Sequence, residues 1–276
     1  MSDQKLRVLY VSQEINPFLS ETSLAQIVKN VAQSVQEYGK EIRVFMPRFG
    51  CINERRHQLH EVIRLSGMNL IVNDTDHPLI IKVASIPQAK MQVYFIDNEK
   101  FFKRKELVCD SKNNLFDDND ERSIFFCRGV LETVKKLGWT PDVIHCNGWM
   151  TAMMPMYVKK FYANDPYFNE AKVVFSIYNN AFDGSLNSKL PSKLAFDGFD
   201  ANDTKLLKDP THENLCKTAI KFSDGVIFEE KATSKSLQKF AADNDKPTLT
   251  HAEGENLAKI YSDFYEQVLE TNNALA

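Results

Sequence analysis

Residues 6–46 constrain the fold more than any other stretch. The continuous β-rich run Leu6–Val11 is followed by Leu24, Ile27, Val28, Val31, Val35 and Tyr38 at helical spacing, then by Gly39 as a stop and by a second β-rich run, Ile42–Met46. Strand, helix and strand in that order make a parallel βαβ unit, because the crossover helix must pack back on the sheet that the two strands share. The same alternation returns further along. A helical period runs from Asp120 through Ile124, Phe125, Val130, Leu131, Val134 and Leu137 to Gly138, Pro141 introduces a strand at Val143–Cys146, and Ala152–Tyr162 reads as helix before the buried run Val173–Ile177. Helix, strand and helix then follow at Asn214–Phe222, Gly225–Phe228 and Lys231–Phe240. After the polar stretch Ala241–Glu253 comes a last amphipathic helix within 255–270. The expected fold is α/β: a doubly wound, mostly parallel, Rossmann-like sheet.

Two segments break the pattern. Residues 51–115 carry short β-like runs, Leu59–Leu65, Leu79–Val83 and Gln92–Ile96, with turn signals at Asn73–Asp74 and His77–Pro78, and read as a β-rich insertion. Residues 183–211 are patternless and polar, with Pro191 and Pro210, and read as a long excursion. At 276 residues the length suits one large domain as well as two small ones, with a typical domain at about 150 residues, and the absence of a linker favours a single domain over 1–276. In doubly wound sheets ligands sit beyond the carboxyl ends of the strands, so the loops 12–23, 146–151 and 178–185 are the candidate site.

Composition removes several classes of function. The 10 glycines include no G-x-G, so the dinucleotide fingerprint and the P-loop, which bring backbone close to phosphate, are both missing. Net charge is -3 with scattered basic residues, which leaves no electrostatic stripe for nucleic acid. No run approaches the roughly 18 apolar residues of a membrane span, and Leu6–Val11 is too short for a signal peptide. Five cysteines without C-x-x-C fit reduced thiols in the cytoplasm. His57 and His60 lack a third ligand and read as a solvated pair, and Asp117, Asp118, Asp120 and Glu121 lack calcium-loop spacing and read as helix-start acids. Neither a metal nor a cofactor is expected.

The three candidate loops and one neighbour carry motifs. Val11–Phe18 (V-S-Q-E-I-N-P-F), Met46–Gly50 (M-P-R-F-G), Asp142–Ala152 (D-V-I-H-C-N-G-W-M-T-A) and Val174–Gly184 (V-F-S-I-Y-N-N-A-F-D-G) together resemble, in order and spacing, the N-terminal domain of the glycogen and starch synthases, glycosyltransferase family 5. The resemblance covers about residues 5–230. It implies one half of a GT-B glycosyltransferase, whose family transfers glucose with retention from a sugar nucleotide, usually ADP-glucose, to the non-reducing end of an α-1,4-glucan. Trp149 and Tyr178 then become candidates for a sugar-stacking platform, and His145, Asn147 and Asn179 for other sugar-facing groups.

Three departures bear on that activity. The family's first loop runs S-E-x-x-P-F-x-K-T-G-G-L-A-D, its lysine and glycine pair meeting the nucleotide phosphates, whereas this chain has Ser20, Glu21, Thr22, Ser23, Leu24, Ala25 and Gln26 there. Losing one charge-assisted hydrogen bond costs about 1.5–3 kcal/mol. Glu21 adds repulsion, and Ser23 with Gln26 has the S-x-x-Q spacing of a capping box, which would consume backbone donors an anion could use. Tyr178 takes the place of the family histidine that faces the transferred glucose, so no residue is assigned as catalytic. The family chain is also about twice as long, with a second Rossmann-like domain that binds most of the nucleotide; here the helix within 255–270, carrying Ile260, Tyr261, Phe264, Tyr265 and Leu269, resembles its closing C-terminal helix, as if the middle had been removed. Three readings follow: a glucan-binding relic with a degraded donor site and little transfer alone, an active half completed by a partner chain that supplies the nucleotide-binding domain, or a small-molecule-binding or interaction module that kept only the fold.

Overall fold

Val8–Val11 are apolar on both faces and wholly buried, as a central strand of a two-sided parallel sheet must be. In the computed structural model, which describes residues 5–19, 22–230, 234–250, 252, 254 and 256–271, this segment is β1 (Arg7–Ser12) at the middle of a ten-stranded sheet. The other strands are β2 (Glu41–Pro47), β3 (His60–Glu61), β4 (Met68–Val72), β5 (Thr75–Ile86), β6 (Met91–Asp97), β7 (Val143–Asn147), β8 (Lys172–Ile177), β9 (Gly225–Phe228) and β10 (Thr248–Thr250). Their spatial order is β10-β9-β8-β7-β1-β2-β6-β5-β3, with β4 paired to β5 outside that path. From β10 to β6 every pairing is parallel, and β5 with its partners is antiparallel. The expected α/β class, the mostly parallel sheet and the β-rich insertion are all present.

The helices are α1 (Ser23–Glu37), α2 (Glu54–His57), α3 (Glu99–Phe102), α4 (Asn119–Lys136), α5 (Met154–Met156), α6 (Leu190–Ala195), α7 (His212–Phe222), α8 (Lys235–Asp243) and α9 (Leu257–Glu270). Helices α1 and α9 pack together on the sheet face that carries Tyr10 and His145, and α4, α5 and α7 cover the other. Gly225 lets α9 approach β9: a Cβ there would stand 2.7 Å from Val268 Cγ2 and 3.1 Å from Phe264 Cζ.

Several local expectations need correction. Asn73 and Asp74 do form the β4–β5 hairpin turn, both with positive φ, as a type I′ turn requires. His77–Pro78 is no turn: it lies inside β5, opposite Leu70 and Asn69, at a point beyond the end of β6 where β5 is an edge and tolerates a missing N–H. Of Leu59–Leu65 only His60–Glu61 pairs as strand, because Leu65 N–H turns back to Val62 O. The expected helix Ala152–Tyr162 is instead the short α5, with Pro155 in its first turn, followed by a π turn, Tyr157–Phe161, closed by Tyr162 N–H on Tyr157 O. The excursion contains α6 and a 3-10 turn at Lys205–Lys208, and the polar stretch contains β10. Asp120 and Glu121 do more than start a helix: buried Lys193 lies 2.7 Å from Asp120 and 2.9 Å from Glu121, while Arg104 pairs with Asp118.

Candidate functional site

Loops following β1, β7 and β8 converge at the carboxyl edge of the sheet. Ser20 and Glu21 lie outside the described residues. Beyond them, Thr22 is the cap of α1, its hydroxyl oxygen accepting from Ala25 N–H at 3.2 Å. The expected Ser23–Gln26 capping box does not form, because the helix starts one residue earlier and Ser23 is already its first turn. Both hydroxyls there also hold carboxylates: Thr22 donates to Glu14 Oε2 at 2.7 Å and Ser23 to Glu230 Oε1 at 2.6 Å. The positive pole of α1 thus already carries two negative groups, one from the β1 loop and one from the end of β9.

After β7 the chain turns sharply at Gly148, whose φ is +84 and whose absent Cβ leaves room for Leu24 Cδ1, 2.8 Å from where it would stand. Trp149 follows and is buried, with Phe182 edge-on to its ring at 5.0 Å. Tyr178 is buried as well and donates to Asn147 Oδ1 at 2.8 Å; burial and the nearby Glu229 push its pKa well up.

His145 belongs to a buried polar chain. Ser176 donates its one proton to Glu229 Oε1 at 2.6 Å, so His145 must donate Nε2–H to Ser176 Oγ, also at 2.6 Å. A neutral imidazole then accepts at Nδ1 from Tyr265 at 2.8 Å, and Tyr265 in turn accepts from Tyr10 at 2.9 Å. Tyr261 completes the set by donating to Glu229 Oε2 at 2.5 Å. Burial lowers the His145 pKa to about 3, which agrees with a neutral ring. His145 and Asn147, read from the sequence as sugar-facing, are both buried here with their polar groups bonded within the protein.

One of the open spaces at this edge is a cavity of about 400 Å³ beyond β8, where Tyr178, exposed Asn179 and half-buried Phe182 meet His212 and Glu213 at the start of α7 and Ser234 before α8. His212 has its pKa lowered by burial and packs edge-on to Phe182 at 5.7 Å. An apolar wall with hydroxyl, amide, imidazole and carboxylate groups around it suits a polyol. His212 and Ser234 escaped the sequence reading because they fall in segments without a motif. Among the described residues no group of three or more His, Cys, Asp or Glu side chains is gathered to hold a metal, and no helix is long and apolar enough to cross a membrane.

Comparison with known proteins bears on the whole arrangement. A family model for the starch synthase catalytic domain matches residues 7–246. The chain belongs to this family. A glycogen synthase from Chlorobium limicola is 40% identical over 195 residues, which is 70% of this chain and 40% of that protein. Another, from Chlorobaculum parvum, is 35% identical over 242 residues, 86% of this chain and 48% of that one. This starch synthase-family chain thus spans less than half the length of these curated relatives. The catalytic domain of starch synthase IV from Arabidopsis thaliana, solved with ADP and acarbose bound, superposes with a TM-score of 0.74 over 91% of this chain and 52% of that one; at 20% identity this likeness concerns the fold, one half of a GT-B glycosyltransferase.

Proposed function

We propose that these 276 residues form one acceptor-side domain of the glycogen/starch synthase type, closed by the helix within 255–270, that binds α-glucan and by itself transfers little or no glucose. The observation that carries this reading is the head of α1. In the family pattern a lysine and two glycines meet the sugar-nucleotide phosphates there; here the Thr22 cap takes one backbone donor, and Glu14 and Glu230 bring carboxylates to the same pole. An incoming diphosphate meets negative charge in place of a cation and a bare glycine backbone. Buried Tyr178, at the family histidine position, is committed to Asn147 and offers no imidazole to a sugar. The cavity between Phe182 and His212 is the proposed glucan subsite, and the reduced thiols suit a cytoplasmic protein.

Incubation with labelled ADP-glucose and glycogen tests the donor side, and turnover by the chain alone would overturn it. Adding the carboxyl-terminal half of a relative tests whether a partner chain completes the site; restored turnover there would favour an active half-enzyme. Glycogen co-sedimentation tests the acceptor side, with Phe182→Ala expected to weaken binding roughly tenfold as its stacking surface is lost. No co-sedimentation of the wild-type chain would leave only a fold-based interaction module. Combining Ser20→Lys with Tyr178→His is expected to leave transfer undetectable in the same assay.

A further inference from the structure

At the opposite edge of the sheet, where β2 and β6 begin and α1 ends, lies a second indentation of about 350 Å³. Its lining includes Gln36, Arg43, Lys90, Gln92 and Tyr94. We propose that it binds a phosphorylated sugar.

Two cations are set there without a counter-ion. Arg43 is held in place by Nη1 donating to Tyr94 Oη at 2.9 Å, with its guanidinium 5.9 Å from the Tyr94 ring centroid and 5.7 Å from that of Trp139. Among the described residues no carboxylate lies within ion-pair distance of Arg43 or Lys90. Glu41, on the same face of β2 as Arg43, is taken up instead by Trp139 Nε1–H at 2.5 Å and by Arg7 at 3.6 Å. A guanidinium fixed by one N–H and two rings keeps other N–H groups for a phosphate, which it can meet with two parallel bonds.

The third element selects for the sugar. Lys90, in left-handed conformation at φ +48, closes the turn Pro87–Ala89 and presents its carbonyl to Gln36 Nε2 at 3.2 Å. That bond holds one side of the amide, and Gln36 Oε1 is buried with no donor to satisfy it. A turn of the amide toward the indentation that Gln36 lines would let this acceptor meet a hydroxyl or N–H of a ligand. Two cations and an unfilled acceptor in a space at the small end of the range for ligand pockets, about 300–1,000 Å³, match a monosaccharide carrying one phosphate.

Thermal denaturation with glucose 1-phosphate, inorganic phosphate and glucose is the test. Glucose 1-phosphate is expected to raise the melting temperature in the millimolar range, more than inorganic phosphate does, and glucose to leave it unchanged. Lys90→Gln, at an exposed position, and Arg43→Gln should each weaken binding roughly tenfold, and Gln36→Leu should weaken glucose 1-phosphate while leaving inorganic phosphate unaffected. Phe182→Ala, at the glucan subsite, should leave the shift intact, which separates this site from the one proposed above. No shift with either phosphate, or a shift in Lys90→Gln and Arg43→Gln as large as in the wild-type chain, would overturn the proposal; equal shifts with phosphate and glucose 1-phosphate would overturn its sugar specificity.

Discussion

His145 shows how one side chain can be kept by a family motif while doing internal work. Its ring is neutral in the native state, with a pKa of about 3, and rises to the ordinary 6.5 on unfolding. Between those values the unfolded chain binds a proton that the native chain does not, so this residue's contribution to stability is intact above pH 6.5 and is lost progressively as pH falls toward 3. Replacing it by glutamine should therefore lower stability at pH 7 but flatten the acid limb. Denaturant titrations across that range would show the gap between wild type and His145→Gln narrowing as the solution is acidified, and a constant gap would refute the assignment. The sequence offered no means of seeing this. A histidine ending a strand has the same neighbours in sequence whether it faces a sugar or two tyrosines some 120 residues away, and only tertiary structure brought Tyr265 to its Nδ1. Trp149 was ambiguous in the same way, since an aromatic ring that stacks on sugar and one that packs under Phe182 are the same letter.

At the level of elements, reliability followed how much of the signal was local. The run Gly225–Phe228 is apolar throughout and wholly buried, and its expected bounds coincide with β9. The start of α1 was displaced by one residue because Thr22 and Ser23 both carry hydroxyls, and which of them caps depends on backbone angles that no residue pattern records. Removing the true cap with Thr22→Ala should cost about 1 kcal/mol, against almost nothing for Ser23→Ala, as measured by urea denaturation. The crossing of α9 over β9 can be probed in the same way. Gly225→Ala places a methyl group against Val268 and Phe264, and should destabilise by about 1–3 kcal/mol through overpacking. The π turn at Tyr157–Phe161 was beyond reach, since Pro155 suits a first helical turn but does not signal how the helix continues.

Across the whole molecule, the parallel ladder was legible where a strand is followed by a helical period, as at β1, β7 and β9, because that order leaves few topologies, whereas β10 lies in a polar stretch without such a signal. What could not be read was which distant surfaces meet. The closing helix joins the sheet through Tyr261 and Tyr265, whose hydroxyls are partners to Glu229, His145 and Tyr10. Ending the chain at residue 254 should expose that polar set and the apolar faces of Phe264 and Val268 together. The expected result is a loss of cooperative thermal unfolding with increased dye binding, whereas an unchanged melting curve would mean that α9 is only an accessory.

The pair Glu229 and Glu230 points in opposite directions, one inward to α9 and the other outward to Ser23. Any attempt to rebuild a nucleotide site by grafting a lysine at the head of α1 would bring the new cation to Glu14 and Glu230 before a ligand arrived. Such a repair neutralises itself as an internal salt, and a successful redesign would have to remove acids before it adds bases.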